Sequence, residues 1–199
     1  MRWREEFGLW WPDEEADRQF AWMLNRVTDV DVALPYVRTK GVCVQAGGFN
    51  GMWAARLAKF FERVYVFEPI GHLFECLKLN TAHLPGVRCR NVALGSSDGV
   101  ARIQYRHGGG SRSAGDGDEY EHVTIDSLGL TRCDAIYLDV EGSELDVLKG
   151  ASQVIERFRP VITVERWPAK QSELQAWLKQ RQYAMRAEVH ADQIWAAGK

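Results

Sequence analysis

Three acids stand where short apolar runs end. Glu68 follows Val64-Tyr65-Val66-Phe67, Asp139 follows Ala135-Ile136-Tyr137-Leu138, and Glu165 follows Val161-Ile162-Thr163-Val164. Upstream, Gly47, Gly48 and Gly51 come directly after the apolar run Val42-Cys43-Val44 and Gln45-Ala46. Glycines in that grouping let a backbone turn sharply and approach a ligand with no Cβ in the way. An acid about twenty residues past the first glycine, at the tip of the next strand, can accept hydrogen bonds from both ribose hydroxyls of an adenosine. Glycine turn and Glu68 together therefore read as a nucleoside-cofactor site, and Asp139 and Glu165 as acids able to take a proton from a bound substrate.

Each of these residues needs an element to hold it. The run 42–44 is a buried strand, and Trp53, Arg56, Leu57, Phe60 and Phe61 recur at helical spacing after Gly51, predicting a helix that packs back on the sheet. Residues 64–67 form the next strand, and Leu73, Phe74, Leu77 and Asn80 continue as a helix until His83-Leu84-Pro85-Gly86 supplies a turn. A third strand is expected over 87–94, a fourth over 100–105, and a short one over 123–126. The stretch 107–118 is Gly, Ser, Asp and Arg without apolar periodicity and reads as a loop, either a substrate lid or simply mobile. Beyond Asp139, Gly142-Ser143 opens a helix in which Ser143 and Asp146 have capping-box spacing. After Glu165 comes a helix with Leu174, Trp177 and Leu178, and residues 183–189 and 193–197 read as a closing hairpin. Near the start, Ala16, Phe20, Met23, Leu24 and Val27 repeat as an amphipathic helix preceded by Trp3, Trp10 and Trp11, which read as core aromatics.

Strands alternating with helices mean a mostly parallel sheet with helices on both faces, and ligands bind such sheets where the strand order reverses. If the strands ending at Ala46 and Leu138 are neighbours there, the glycine turn and Asp139 share one crevice, with Glu68 on one side and Glu165 on the other. The 199 residues suffice for one domain and not for a nucleotide domain plus a full substrate domain. We expect residues 1–40 to be a helical extension packed on a core of 41–199.

The net charge of −2 supplies no global basic field for a phosphate backbone, although Arg102, Arg106, His107 and Arg112 gather near the loop. Four scattered cysteines, Cys43, Cys76, Cys89 and Cys133, show no C-x-x-C pair and read as buried free thiols of a reducing cytoplasm. No signal-peptide run and no bilayer-spanning run is present in the sequence. The expected partners are a small-molecule or glycan acceptor and, as an assembly, a homodimer; nucleic acid and membrane are not expected. His72 and His107 read as solvated surface histidines.

With these motifs in view, the chain resembles the FkbM-type methyltransferases, a branch of the class I S-adenosylmethionine-dependent enzymes. The resemblance rests on 45–51, Val66-Phe67-Glu68-Pro69, Asn91-Val92-Ala93-Leu94-Gly95, Thr124-Ile125-Asp126-Ser127-Leu128, and above all Leu138-Asp139-Val140-Glu141-Gly142-Ser143-Glu144 followed by Leu148-Lys149-Gly150-Ala151. It implies an α/β fold: a single-domain Rossmann-like three-layer sandwich whose mostly parallel sheet has about seven strands, with a C-terminal antiparallel hairpin. It also implies methyl transfer to a hydroxyl of a sugar, glycan or natural product. By resemblance, Gln45, Gly47, Gly48, Asn50 and Gly51 line the methionine and ribose part of the cofactor, Glu68 holds the ribose, and Asn91 and Ala93 lie near the adenine. Asp139 sits by the transferable methyl, with Glu141 and Glu144 at the same mouth. Departures from the family pattern are Gln45, where an acid is usual, and Tyr137, where a lysine is often found.

Deprotonating a hydroxyl acceptor falls first to Asp139, with Glu141 and Glu165 behind it; a divalent metal held by these acids is the alternative. Two other functions compete. Ala46-x-Gly48-x-x-Gly51 is one residue short of a dinucleotide fingerprint, as an NAD(P)-dependent oxidoreductase would need, but no second domain holds a hydride acceptor. A cofactor-binding protein of this fold without turnover is the other.

Overall fold

The computed structural model describes residues 1–13, 17–106, 112–113 and 116–198. In chain order it contains β1 (Arg2–Arg4), β2 (Leu9–Trp11), α1 (Asp17–Arg26), β3 (Val42–Ala46), α2 (Met52–Leu57), β4 (Arg63–Phe67), α3 (Gly71–Thr81), β5 (Val87–Arg90), β6 (Ala93–Leu94) and β7 (Gly99–Gln104). It continues with β8 (Arg112–Ser113), β9 (Asp118–Val123), β10 (Ala135–Leu138), α4 (Glu144–Lys149), α5 (Ser152–Phe158), β11 (Val161–Glu165), α6 (Gln171–Gln180), β12 (Tyr183–Val189) and β13 (Asp192–Ala197). Short 3-10 turns cover Asp29–Tyr36 and Asp126–Leu128.

The main sheet has seven strands in the order β12-β13-β11-β10-β3-β4-β5. Neighbours from β11 to β5 are parallel, while β13 runs antiparallel to both β11 and β12, which is the expected closing hairpin. Strand order reverses between β3 and β10, paired from Cys43 with Ala135 to Ala46 with Leu138. Both faces are covered, so the strands read as unbroken apolar runs. On one face Val44, Ala46, Ile136, Leu138, Ile162 and Val164 meet Leu145, Leu148, Ile155 and Leu178. On the other, Cys43, Val64, Val66 and Tyr137 meet Ala54, Leu57, Leu77, Val30 and Ala33. The cysteines are free, and three of them are buried. No helix among the described residues is long and apolar enough to cross a membrane.

Several elements differ from the sequence expectation. The strand expected over 87–94 breaks at Asn91, whose Nδ2 donates to the carbonyls of Glu68 and Pro69, both at 2.8 Å. That clamp sends β6 into a separate sheet of order β6-β9-β7-β8. Part of the expected loop is therefore strand; His107 and the rest of 107–111 and 114–115 lie outside the described residues, as does Ala16. The short strand expected over 123–126 instead ends at Val123, because Asp126 turns to cap α5, accepting the amides of Gln153 and Val154 at 3.0 and 2.9 Å. Ser143 does not cap α4 through its side chain, and Glu144 instead accepts the amides of Val140 and Gly142. Helix α2 stops at Leu57, with Phe60 and Phe61 in the turn after it. Residues 1–40 hold an antiparallel hairpin, β1 with β2, besides the expected helix. His72 is half-buried with its ring against Tyr105 rather than solvated.

Gly150 shows why the Leu-Lys-Gly-Ala run carries a glycine: a Cβ there would lie 2.0 Å from the carbonyl oxygen of Gly95. Because that neighbour is backbone, Gly150→Ala should destabilise the protein by about 2 kcal/mol or more. Gly71→Ala, whose Cβ meets nothing within 4 Å, should be close to neutral. Urea unfolding of both variants checks the contrast, and equal midpoints would refute the packing account.

Candidate active site

The glycine turn is a crossing point of three strands. The amides of Gly47 and Gly48 both donate to the carbonyl of Phe67, at 3.1 and 3.0 Å. Gly47 has φ +78, and a Cβ on it would lie 1.9 Å from the carbonyl oxygen of Asp139. The chain therefore needs glycine here on two counts, left-handed backbone and close approach. Phe49, also at positive φ, then sends its amide to Glu68 Oε2 at 2.8 Å, and Ile70 sends its amide to Glu68 Oε1 at 2.9 Å. Glu68 is 5% exposed. Burial outweighs those two donors and pushes its carboxyl up to about 7.

A cavity of about 540 Å³ opens over this turn. Of the residues proposed from sequence, Gln45, Gly47, Gly48, Glu68, Ala93, Asp139, Glu141 and Glu165 line it. Asn50, Gly51, Asn91 and Glu144 do not, Glu144 being turned to the Val140 and Gly142 amides. Asn50 is fully buried, its Oδ1 accepting the Met52 amide and its carbonyl held by Asn80. Gly51 backs onto Leu77 and Thr81. Asn91 ties β5 to the Glu68-Pro69 backbone and so positions Glu68 from behind.

At the opposite end, Asp139, Glu141 and Glu165 bring one carboxylate oxygen each within 4.8 Å of one another. Burial first, then the like charges of Glu165 and Glu141, raise the Asp139 carboxyl well above the usual range. Glu165 is also raised by burial, against a hydrogen bond from Trp167 Nε1 at 2.8 Å and the charge of Arg26. Asp192, next to Glu165 across the β11–β13 pair, is pushed up to about 7 by burial and by Glu165. Oxygens this close can share protons or hold a hard cation.

The wall facing the sheet was not foreseen as part of the site. Gln19, Trp22 and Met23 of α1 line the cavity, as do Trp53 of α2, Ser96 and His122. Trp22 carried a signal, because it falls off the inward stripe of Phe20 and Met23 and is 45% exposed beneath the Arg26 guanidinium. The α1 wall is tied down through the hairpin: Asn80 exchanges hydrogen bonds with the backbone of Trp10, and Trp11, fully buried, meets the rings of Phe20 and Phe49. Among the described lining residues there is no Lys or Arg. Arg102 is paired with Glu119, and Arg106 donates to Gln104, so neither forms an open basic stripe.

Residues 45–185 match the model of the methyltransferase FkbM domain. The chain belongs to the FkbM methyltransferase family. Among solved structures it is similar to the methyltransferase FkbM of Methylobacillus flagellatus, at 17% identity and TM-score 0.62, over 93% of this chain and 56% of that one. It thus spans about half the length of that relative. It is similar also to an rRNA methylase of Streptococcus thermophilus (10% identity, TM-score 0.56, 86% of this chain and 95% of that one). A precorrin-6y C5,15-methyltransferase of Geobacter metallireducens gives 12% identity and TM-score 0.54, over 96% and 98% of the two chains. At these identities the likenesses show the fold. No curated protein matches the chain.

The raised carboxyls make a prediction about stability. Between the ordinary carboxylate pKa and about 7, folded Glu68 keeps a proton that the unfolded chain releases, so stability must fall as pH rises through that window. Glu68 contributes up to about 3 kcal/mol to this fall. Glu68→Gln should therefore flatten the decline in unfolding free energy between pH 5 and 7.5, measured by denaturant titration; an unchanged slope would assign the effect to other groups.

Proposed function

We propose that this protein transfers a methyl group from S-adenosylmethionine to a hydroxyl of a sugar, glycan or natural-product-like small molecule. The observation that carries the proposal is a single cavity with Glu68 at one side of the Gly47-Gly48 turn and the Asp139, Glu141, Glu165 trio at the other. The cavity residues fit the cofactor. Each Glu68 oxygen receives one backbone N–H, leaving a lone pair apiece for the two ribose hydroxyls. Bare backbone at Gly47 and Gly48 leaves room beside the ribose and sulfur, and Ala93 and Ser96 flank the adenine end. Gln45 is 1% exposed with Oε1 lacking any hydrogen-bond partner, which suits an ammonium donor. When bound, the cofactor would supply an electrophilic methyl on a sulfonium, to which the acceptor oxygen bonds in line as the C–S bond breaks and S-adenosylhomocysteine leaves.

What the chain must add is alignment, dryness and a base. Trp22, Met23 and Gln19 wall the acceptor side. Asp139, with proton affinity raised by burial and by Glu165 and Glu141, takes the proton of the acceptor hydroxyl as the new C–O bond forms. A cavity walled by carboxylates, with no Lys or Arg among its described lining residues, favours an uncharged acceptor over one bearing phosphates, which weighs against nucleic acid. The same fact weighs against a dinucleotide cofactor, since the Gly47 and Gly48 amides are already given to Phe67 and no cation is at hand for a pyrophosphate.

S-adenosylhomocysteine should raise the melting temperature and NADH should not; the reverse ranking would sink the methyl-transfer reading. Asp139→Asn should keep cofactor binding within about threefold while turnover of an accepted hydroxyl compound drops at least about a hundredfold. Turnover in EDTA separates base from metal: survival supports Asp139 as base, whereas loss reversed by a divalent ion would make the trio a metal site instead.

A further inference from the structure

Gln19, Trp22 and Met23 line the cavity from α1, a helix that lies outside the residues 45–185 matching the family domain. The three do not behave alike. Met23 is buried with Phe20, Trp11 and Met52, as a core residue is. Trp22 stands outside that cluster and keeps 45% of its surface exposed. An amphipathic helix gives the margin beside its inward stripe to polar residues, so a tryptophan there offers a broad apolar surface that the fold itself does not use.

Arg26, one helical turn on, shows which end of the cavity Trp22 serves. Its guanidinium lies over the indole, 4.5 Å from the ring centroid, and its charge reaches Glu165 and Asp192, where it opposes the burial that raises both carboxyls. The stack therefore stands by the Asp139, Glu141, Glu165 trio, away from Glu68 and the nucleoside side. A guanidinium so placed covers one face of the indole and leaves the rest of the ring to the cavity. Gln19, three residues before Trp22 on the same side of the helix, is half-buried at the cavity wall and carries an amide that both donates and accepts.

An apolar platform flanked by several hydrogen-bonding side chains selects a ligand divided in the same way. A pyranose ring is so divided, with a face of C–H groups and a rim of hydroxyls. A phenol has the face but few hydroxyls for the carboxylates and Gln19, and a simple alkyl alcohol has no face. We propose that Trp22 is the platform on which the methyl acceptor stacks, and that the acceptor is an uncharged pyranose laid C–H face down on the indole with its rim hydroxyls toward Asp139, Glu141 and Glu165. Trp22 is thus a specificity-determining residue supplied by α1. The inference rests on the methyl-transfer reading and narrows it, and its test tells the two apart.

The test supplies S-adenosylmethionine with a radiolabelled methyl to two sets of probes: methyl pyranosides of neutral hexoses, deoxyhexoses and pentoses, and a set of phenols and catechols. The wild type should methylate a pyranoside. On that pyranoside Trp22→Ala should raise KM roughly tenfold and leave kcat within about threefold, because a stacking surface holds ground state and transition state alike. Trp22→Phe, which keeps a flat apolar face, should recover most of the loss. Calorimetry should give wild type and both variants affinities for S-adenosylhomocysteine within about twofold of one another, a difference too small for a lost contact. A wild type that binds S-adenosylhomocysteine yet methylates no pyranoside would overturn the platform while leaving the methyl-transfer reading intact. So would a KM that Trp22→Ala leaves unmoved, or a loss that falls equally on S-adenosylhomocysteine. A wild type that binds NADH and no S-adenosylhomocysteine would remove both.

Discussion

The site depends on one close approach. The backbone of Gly47 passes so near the Asp139 carbonyl that a Cβ would stand 1.9 Å from it, and it does so at a φ that ordinary residues avoid. At the same point the amides of Gly47 and Gly48 converge on the Phe67 carbonyl, and Asp139 sends its own amide to Ala46. The carboxyl ends of β4, β3 and β10 are thereby laced together at the reversal of strand order. Glu68 is left on one flank and Asp139 on the other, across a turn with no side chain to separate them from a ligand. A side chain at Gly47 would open that lacing and move the two acids apart together.

The acids so gathered are held in an environment that resists their ionisation. Burial raises Glu68 and Asp139, and like charge from Glu165 and Glu141 adds to the effect at Asp139. Relief is partial: two backbone amides at Glu68, the Trp167 indole at Glu165, and Arg26 at a distance. Carboxyls perturbed in this way cluster at functional sites. Gln45 Oε1, buried without a hydrogen-bond partner, adds to the cost of burying polar groups here.

Distant parts of the chain serve this arrangement. Asn91 breaks a strand in order to clamp the Glu68-Pro69 backbone, and Asp126 ends another in order to cap α5, the helix after the Leu-Lys-Gly-Ala run. Asn80 holds the Trp10 backbone of the hairpin against which α1 packs, and α1 walls the cavity from the other side. Each of these is a polar side chain satisfying backbone groups that regular structure leaves unpaired.

The sequence by itself determined the strand–helix alternation, the acids at the tips of three buried strands, the glycine turn and the family. These are local facts: apolar runs bounded by turn residues, and motifs whose spacing follows from one βαβ unit. It placed Gln45, Gly47, Gly48, Glu68, Ala93, Asp139, Glu141 and Glu165 at one cavity because all of them lie on or beside strand ends. Asn50, Gly51 and Asn91 sit in the same motifs yet face the core or the backbone, since a residue one position along a tight turn points elsewhere. Only the tertiary structure decided that Trp22 and Met23, from a helix remote in sequence, line the cavity. That outcome depends on which face of a helix meets which edge of the sheet, and periodicity fixes the inward stripe of a helix without saying what lies opposite its margins.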